Sequence, residues 1–132
     1  MRSPILFVSG HREDAERLSQ MLRALPLTLD HVGTVLQARN QLRQQHYPVV
    51  LTEAGLTDGT WHDVLRVARE CPGEVEVIVT DPQADARFWA EALNLGAYDL
   101  VAQPFYEPEV RRILSNACSR MPYSAHASPA VF

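Results

Sequence analysis

The sequence predicts an α/β protein in which a parallel sheet is covered by helices on both faces. Three observations carry that prediction. Ile5-Leu6-Phe7-Val8 and Pro48-Val49-Val50-Leu51-Thr52-Glu53 are short apolar runs, the pattern of strands buried on both sides. The segments between such runs place apolar residues at helical spacing. The two kinds of segment alternate along the chain, five strands with five helices, which implies right-handed crossovers onto one parallel sheet. Periodicity alone does not choose among three-layer arrangements.

The first strand ends at Ser9-Gly10. Helix one follows from about Arg12, with Glu13 and Asp14 at the positive end of its dipole. Its buried stripe is Leu18, Met21, Leu22 and Leu25, and Pro26 ends it. Leu27-Thr28-Leu29-Asp30-His31 alternates apolar and polar, as an edge strand does. Gly33-Thr34 opens helix two, with Val35, Ala38 and Leu42 on one face and Arg39, Gln41 and Arg43 among the wet residues. His46-Tyr47-Pro48 closes it.

The central strand ends in Glu53, and the loop Ala54-Gly55-Leu56-Thr57-Asp58-Gly59 follows. Thr60-Trp61-His62-Asp63 has the pattern of a capping box. Helix three carries Val64, Leu65, Val67 and Ala68 and stops at Cys71-Pro72-Gly73. Val75 to Thr80 is a strand rich in β-branched residues. Asp81 is read as the cap of helix four, where Phe88, Trp89, Ala92, Leu93 and Leu95 cluster and Gly96 is a left-handed stop. Tyr98-Asp99-Leu100-Val101 is the last strand. Glu107 and Pro108 begin helix five, whose stripe is Val110, Ile113, Leu114 and Ala117. From Met121 to Phe132 the composition shifts to Pro, Ser and Ala, so residues 1–120 are read as the domain and 121–132 as a tail or linker.

Composition narrows the function. A chain of 132 residues suits one domain with one sizeable core. A net charge of -4 offers no basic field to nucleic acid or an anionic membrane. No apolar run approaches the roughly 18 residues of a membrane span, and Met1-Arg2-Ser3-Pro4 lacks a signal-peptide pattern. A cytoplasmic protein is expected, with Cys71 and Cys118 as reduced, core-packing thiols. No Ser or Cys sits in a nucleophile elbow, so no enzyme is expected. His11, His31, His46, His62 and His126 show no metal-ligand spacing and are read as surface or capping residues. All 12 basic side chains are arginine, and lysine is absent.

In an open α/β sheet, ligands gather beyond the carboxyl ends of the strands, and Glu53 lies there. Around it the residues resemble the receiver domain of bacterial two-component response regulators (the CheY-like superfamily), from residue 4 to about 120. Val49 to Gly59 looks like that family's third strand and following loop. Val77-Ile78-Val79-Thr80 looks like its fourth strand, with the terminal hydroxyl in place. Asn94-Leu95-Gly96-Ala97-Tyr98-Asp99 resembles the turn before its fifth strand, and Gln103-Pro104-Phe105 its Lys-Pro-Phe signature. The resemblance implies a doubly wound, three-layer αβα fold of strand order 2-1-3-4-5, as in flavodoxin. It also implies a cis peptide between Gln103 and Pro104.

A receiver takes a phosphoryl group onto an aspartate at the end of strand three. It needs Mg²⁺ on that aspartate and an acidic pair after strand one, a Ser or Thr after strand four, and a lysine after strand five. At those positions this chain has Glu53, then Ser9 and Gly10, then Thr80, then Gln103, and Thr80 alone matches. Mg²⁺ seeks near-octahedral oxygen coordination, and one carboxylate remains where the family has three, so its binding is expected to be lost. Phosphoryl transfer rests on positioning and charge neutralisation, which go with the metal and the lysine. Glu13 and Asp14 are read as a helix-dipole pair, not as substitute ligands.

A pseudo-receiver is therefore expected: fold kept, phospho-switch removed, no cofactor. Glu53 is expected either to hydrogen-bond Thr80 across the pocket, with the Gln103 amide as a neutral partner, or to be a solvated loop carboxylate. Function then falls to surfaces. In this family helix four, strand five and helix five form the partner or dimer face, represented here by Trp89, Leu100, Arg111 and Arg112. Leu100 replaces the family's switch aromatic. Trp89 and Trp61 each suit either core or an interface anchor. The implied partner is a protein, an effector domain or a second copy. Two alternatives differ in class: a phosphorylatable receiver with an atypical metal site, and a flavodoxin-like ligand binder. For the latter, Val8-Ser9-Gly10-His11 is too poor in glycine to cradle phosphate.

Overall fold

Strand β1 (Ser3–Val8) is buried from Ile5 to Val8 and lies inside the sheet, with β2 (Leu27–Val32) on one side and β3 (Val49–Glu53) on the other. Beyond β3 come β4 (Glu76–Asp81) and β5 (Asp99–Ala102). All pairings are parallel, which gives the expected order 2-1-3-4-5. The structure, a computed structural model, describes residues 2–119, so the tail read at 121–132 lies outside it.

Five helices cover the sheet: α1 (Arg12–Met21), α2 (Val35–Gln44), α3 (Trp61–Arg69), α4 (Ala86–Leu95) and α5 (Glu107–Ser119). Strand alternation sorts the core into two halves. Ile5, Phe7, Val49 and Leu51 face α1 and α5, meeting Ala15, Leu18, Val110 and Leu114. Leu6, Val8, Val50, Val77 and Val79 face α2, α3 and α4, meeting Ala38, Trp61, Val64 and Ala92. Every residue of β3 is buried. Each such aliphatic side chain contributes about 1.5–3 kcal/mol, so the strand that ends in Glu53 is firmly fixed.

Local chemistry explains most boundaries. The Thr34 hydroxyl accepts from the Gln37 amide at the start of α2. The capping box at Thr60 and Asp63 is complete. Gly96 closes α4 at φ 110°, a conformation that costs a residue with a Cβ. The Gln103-Pro104 peptide is cis.

Several expectations give way. Residues 54–59 are no plain loop: Gly55–Leu56 and Gly59–Thr60 pair as a short antiparallel hairpin. At its tip the Asp58 carboxylate accepts from the Val35 and Leu36 amides at 2.8 and 3.1 Å, which holds its pKa below the ordinary value. Asp81 does not cap α4. It accepts from the Gln83 amide in the preceding turn, and Asp85 caps the helix through the Phe88 amide. Met21 and Leu25 are half-buried, because α1 ends before its fourth turn. Cys71 and Cys118, by contrast, are free thiols packed half-buried against the core, as expected.

The two tryptophans divide. Trp61 is core, stacked on His62 and facing Phe88, whereas Trp89 is 48% exposed with its indole N–H on Asp99. Leu100 is buried against Val79 and Ala92, so it is not a surface residue. β5 presents it inward because its neighbour Val101 fills the opposite face. Arg111 is tied to the Met21 carbonyl and to Glu107, while Arg112 is exposed. Tyr47, expected only to close α2, has its ring wholly buried. Its hydroxyl donates to Asp30 at 2.6 Å and accepts from Gln41 at 2.8 Å, and burial pushes the phenol pKa up to about 12.

Replacing Trp61→Ala is expected to cost about 3–5 kcal/mol in urea unfolding, against less than about 1 kcal/mol for Trp89→Ala. Comparable losses would put Trp89 in the core. Tyr47→Phe keeps the ring and removes the hydroxyl, so a loss of about 1 kcal/mol is expected. An unchanged unfolding midpoint would mean that the bond to Asp30 adds nothing to stability.

Candidate functional site

Register brings the site together. Val8 pairs with Thr52 and Glu53 with Thr80, so Ser9, Glu53 and Thr80 emerge side by side at the carboxyl edge. Ser9 and Thr80 are fully buried, and Glu53 is 7% exposed. A cleft of about 360 Å³ opens above them, lined by His11, Asp14, Glu53, Thr80, Asp81 and Gln103 among others.

Glu53 does not reach across to Thr80, nor is it a solvated loop carboxylate. It turns toward β1. The Ser9 hydroxyl donates to Oε2 at 2.6 Å, and the Gly10 amide donates to Oε1 at 3.2 Å. The His11 Nδ1 lies 2.9 Å from Oε2. A buried carboxylate needs such donors to offset the water it has lost. Ser9 is small enough to sit under it, and its own oxygen accepts from the His11 amide at 2.9 Å. The turn after β1 therefore folds around the carboxylate.

Thr80 and Gln103 form a separate unit. The Thr80 hydroxyl donates to the Val101 carbonyl at 2.8 Å, and the Gln103 amide donates to the Thr80 oxygen at 3.2 Å. The amide thus reaches Thr80 as expected, without joining Glu53.

His11 is the residue that sequence reasoning missed. It occupies the N-cap position of α1, but its side chain caps nothing and points to Glu53 instead. Its ring is 71% exposed. The hydrogen bond and charge of Glu53 raise its pKa above the ordinary 6.5. The signal available was adjacency alone: it is the next residue after the Ser9-Gly10 turn. His31, exposed on β2, sets its Nε2 2.7 Å from the Ser9 carbonyl. Asp14, one turn into α1, pairs with Arg17 at 3.1 Å.

No protein-family model and no curated protein matches the sequence. Solved structures match the fold. A protein described as a response regulator from Chloroflexus aurantiacus has a TM-score of 0.82 at 19% identity, over 91% of this chain and 100% of that one. The receiver domain of a Pseudomonas aeruginosa sensor histidine kinase, solved with magnesium in its active-site cleft, has a TM-score of 0.79 at 24% identity. That match covers 91% of this chain and 100% of the other. A signal receiver domain of an HD domain-containing protein from Pseudomonas fluorescens matches at 27% identity and a TM-score of 0.77, covering 89% and 94%. The fold is that of a receiver domain of two-component signalling. Among the described residues no helix is long and apolar enough to cross a membrane.

The pair of His11 and Glu53 makes a pH prediction. A raised histidine pKa adds stability that is complete below about 6.5 and fades as pH rises through the folded value. An NMR titration of the His11 ring is expected to give a midpoint above that of a free histidine, and Glu53→Gln is expected to bring it back. A midpoint insensitive to that substitution would break the pairing.

Proposed function

We propose that this chain is a receiver-type signalling domain whose phosphoryl switch is dismantled and which works through protein contacts. The observation that carries this reading is the state of Glu53. Both its oxygens are engaged by Ser9, Gly10 and His11, in the space where a receiver keeps its metal. The residues present do not fit Mg²⁺. At the acidic-pair positions stand a hydroxyl and a glycine, and the hydroxyl is already committed to Glu53. The extra methylene, about 1.5 Å of reach, lets the carboxylate cross to those donors. Gln103 brings no charge to the place of the lysine, and no other lysine exists to replace it.

Contacts then fall to α4, β5 and α5. Here Trp89 is 48% and Tyr106 66% exposed, and α4 buries Ala92 alone on its inner face. Exposed aromatic rings of this kind serve as anchors for a protein partner. Arg112 belongs to the same surface, and Leu100 supports it from beneath. The partner is an effector domain or a second copy of the chain. The domain itself is not an enzyme and takes neither nucleic acid nor membrane.

Incubation with acetyl phosphate and Mg²⁺ is expected to add no phosphoryl group by intact mass. The fourfold variant Ser9→Asp, Gly10→Asp, Glu53→Asp, Gln103→Lys is expected to gain one that depends on magnesium. Stable, magnesium-dependent phosphorylation of the natural chain at Glu53 would overturn this reading.

A further inference from the structure

We propose that His11, Asp14 and Glu53 form a binding site for a divalent transition ion of borderline softness, with Zn²⁺ as its probe. The proposal deepens the reading above and rests on it for a cleft free of phosphoryl chemistry. One ligand atom from each of these side chains lies within 4.8 Å of the other two. They come from two elements. Glu53 ends β3, while His11 and Asp14 stand three residues apart at the start of α1.

The donor set selects the ion. Imidazole nitrogen suits zinc, copper, iron and nickel, whereas Mg²⁺ demands oxygen and keeps its water. One imidazole and two carboxylates leave a fourth tetrahedral position for water or for a side chain of a partner.

Charge points the same way. Among the described residues, the ion pairs give Glu53 no guanidinium. Its one partner able to carry positive charge is an exposed imidazole. Asp14 and Asp81 line the same cleft, Asp81 with its carboxylate on the Gln83 amide. Asp14 is held by an exposed pair with Arg17, which is weak and easily given up.

The geometry needs little adjustment. His11 Nδ1 and Glu53 Oε2 are 2.9 Å apart. Tetrahedral zinc with bonds near 2.1 Å sets its ligand atoms roughly 3.4 Å apart. The pair would open by about half an ångström, and Asp14 would close by rotation. Ser9 and Gly10 already orient the Glu53 carboxylate from behind, the outer contacts that a metal ligand needs. A bound ion would fasten the start of α1 to the end of β3.

The test is titration of the full chain with Zn²⁺, after chelator treatment, by calorimetry and by amide NMR. It is run on the natural chain and on a Cys71→Ser, Cys118→Ser variant, so that thiols are not mistaken for the site. Expected are one equivalent bound, amide shifts centred on residues 9–14 and 53, and an unfolding midpoint that climbs with free Zn²⁺. His11→Ala and Asp14→Asn are each expected to weaken binding about tenfold or more. His11 is exposed, so that variant keeps its fold and carries the test even where Glu53→Gln does not. Three results would overturn the site: no Zn²⁺ bound by the folded chain, binding unchanged in His11→Ala, or displacement by excess Mg²⁺. Phosphoryl uptake in the separate acetyl phosphate assay would strike the proposed function and leave a His11-dependent zinc isotherm standing. The two failures are thus distinguishable.

Discussion

Glu53 is the constraint around which the upper edge of the molecule is arranged. A carboxylate that is 7% exposed has surrendered most of its water, at a cost of several kcal/mol unless polar donors replace it. The replacements come from one short turn: the Ser9 hydroxyl, the Gly10 amide and the His11 ring. Three consecutive residues can supply three donors because β1 stops at Val8 and the chain turns at once into α1. The turn and the carboxylate thus hold each other in place. A shorter aspartate would stop one methylene short of those donors.

The rigidity behind this arrangement comes from below. β3 is buried along its whole length between two apolar half-cores, one under α1 and α5 and one under α2, α3 and α4. A strand so enclosed cannot slip by one residue without turning its set of side chains over. The register Val8 to Thr52 and Glu53 to Thr80 is therefore fixed by packing, and the polar site inherits it. The hairpin after β3 adds a second fastening. Asp58 reaches across to the first amides of α2, where the helix dipole favours a negative charge.

The sheet and nearly all of the helix stripes were legible because apolar periodicity states directly which residues are inside, whereas the strand order came from the resemblance to receiver domains. The positions Ser9, Gly10, Glu53, Thr80 and Gln103 were singled out by that same resemblance, and the register brings Ser9, Glu53 and Thr80 to one edge. What was not legible is which way a polar side chain turns. Glu53 had Thr80 opposite it in register and Ser9 beside it, and nothing in spacing chooses between them. His11 follows a glycine, and one residue of turn geometry decides whether its ring faces solvent or the carboxylate. Asp81 and Asp85 both precede α4, and the extra turn at Pro82-Gln83 hands the cap to the second. Tyr47 resembled a helix terminator, yet the match of Asp30 and Gln41 to its hydroxyl lets the ring go fully inside.

Helix α4 differs from the other helices in how little it buries. Ala92 is its one buried residue, and Trp89 and Leu95 leave 48% and 43% of their surface open. A helix held so lightly gains little from packing on its own sheet, and most helical stability in proteins comes from such packing. Its ends do the holding instead: Asp85 caps the first turn, and Gly96 closes the last beside the Arg69 guanidinium on the Leu95 carbonyl. Strong caps with a thin inner face leave the outer aromatic surface available without loosening the core. Below that surface Thr80 is bound to the Val101 carbonyl and to Gln103. The carboxyl edge is thus fastened in two separate halves, Glu53 to the turn after β1 and Thr80 to the end of β5.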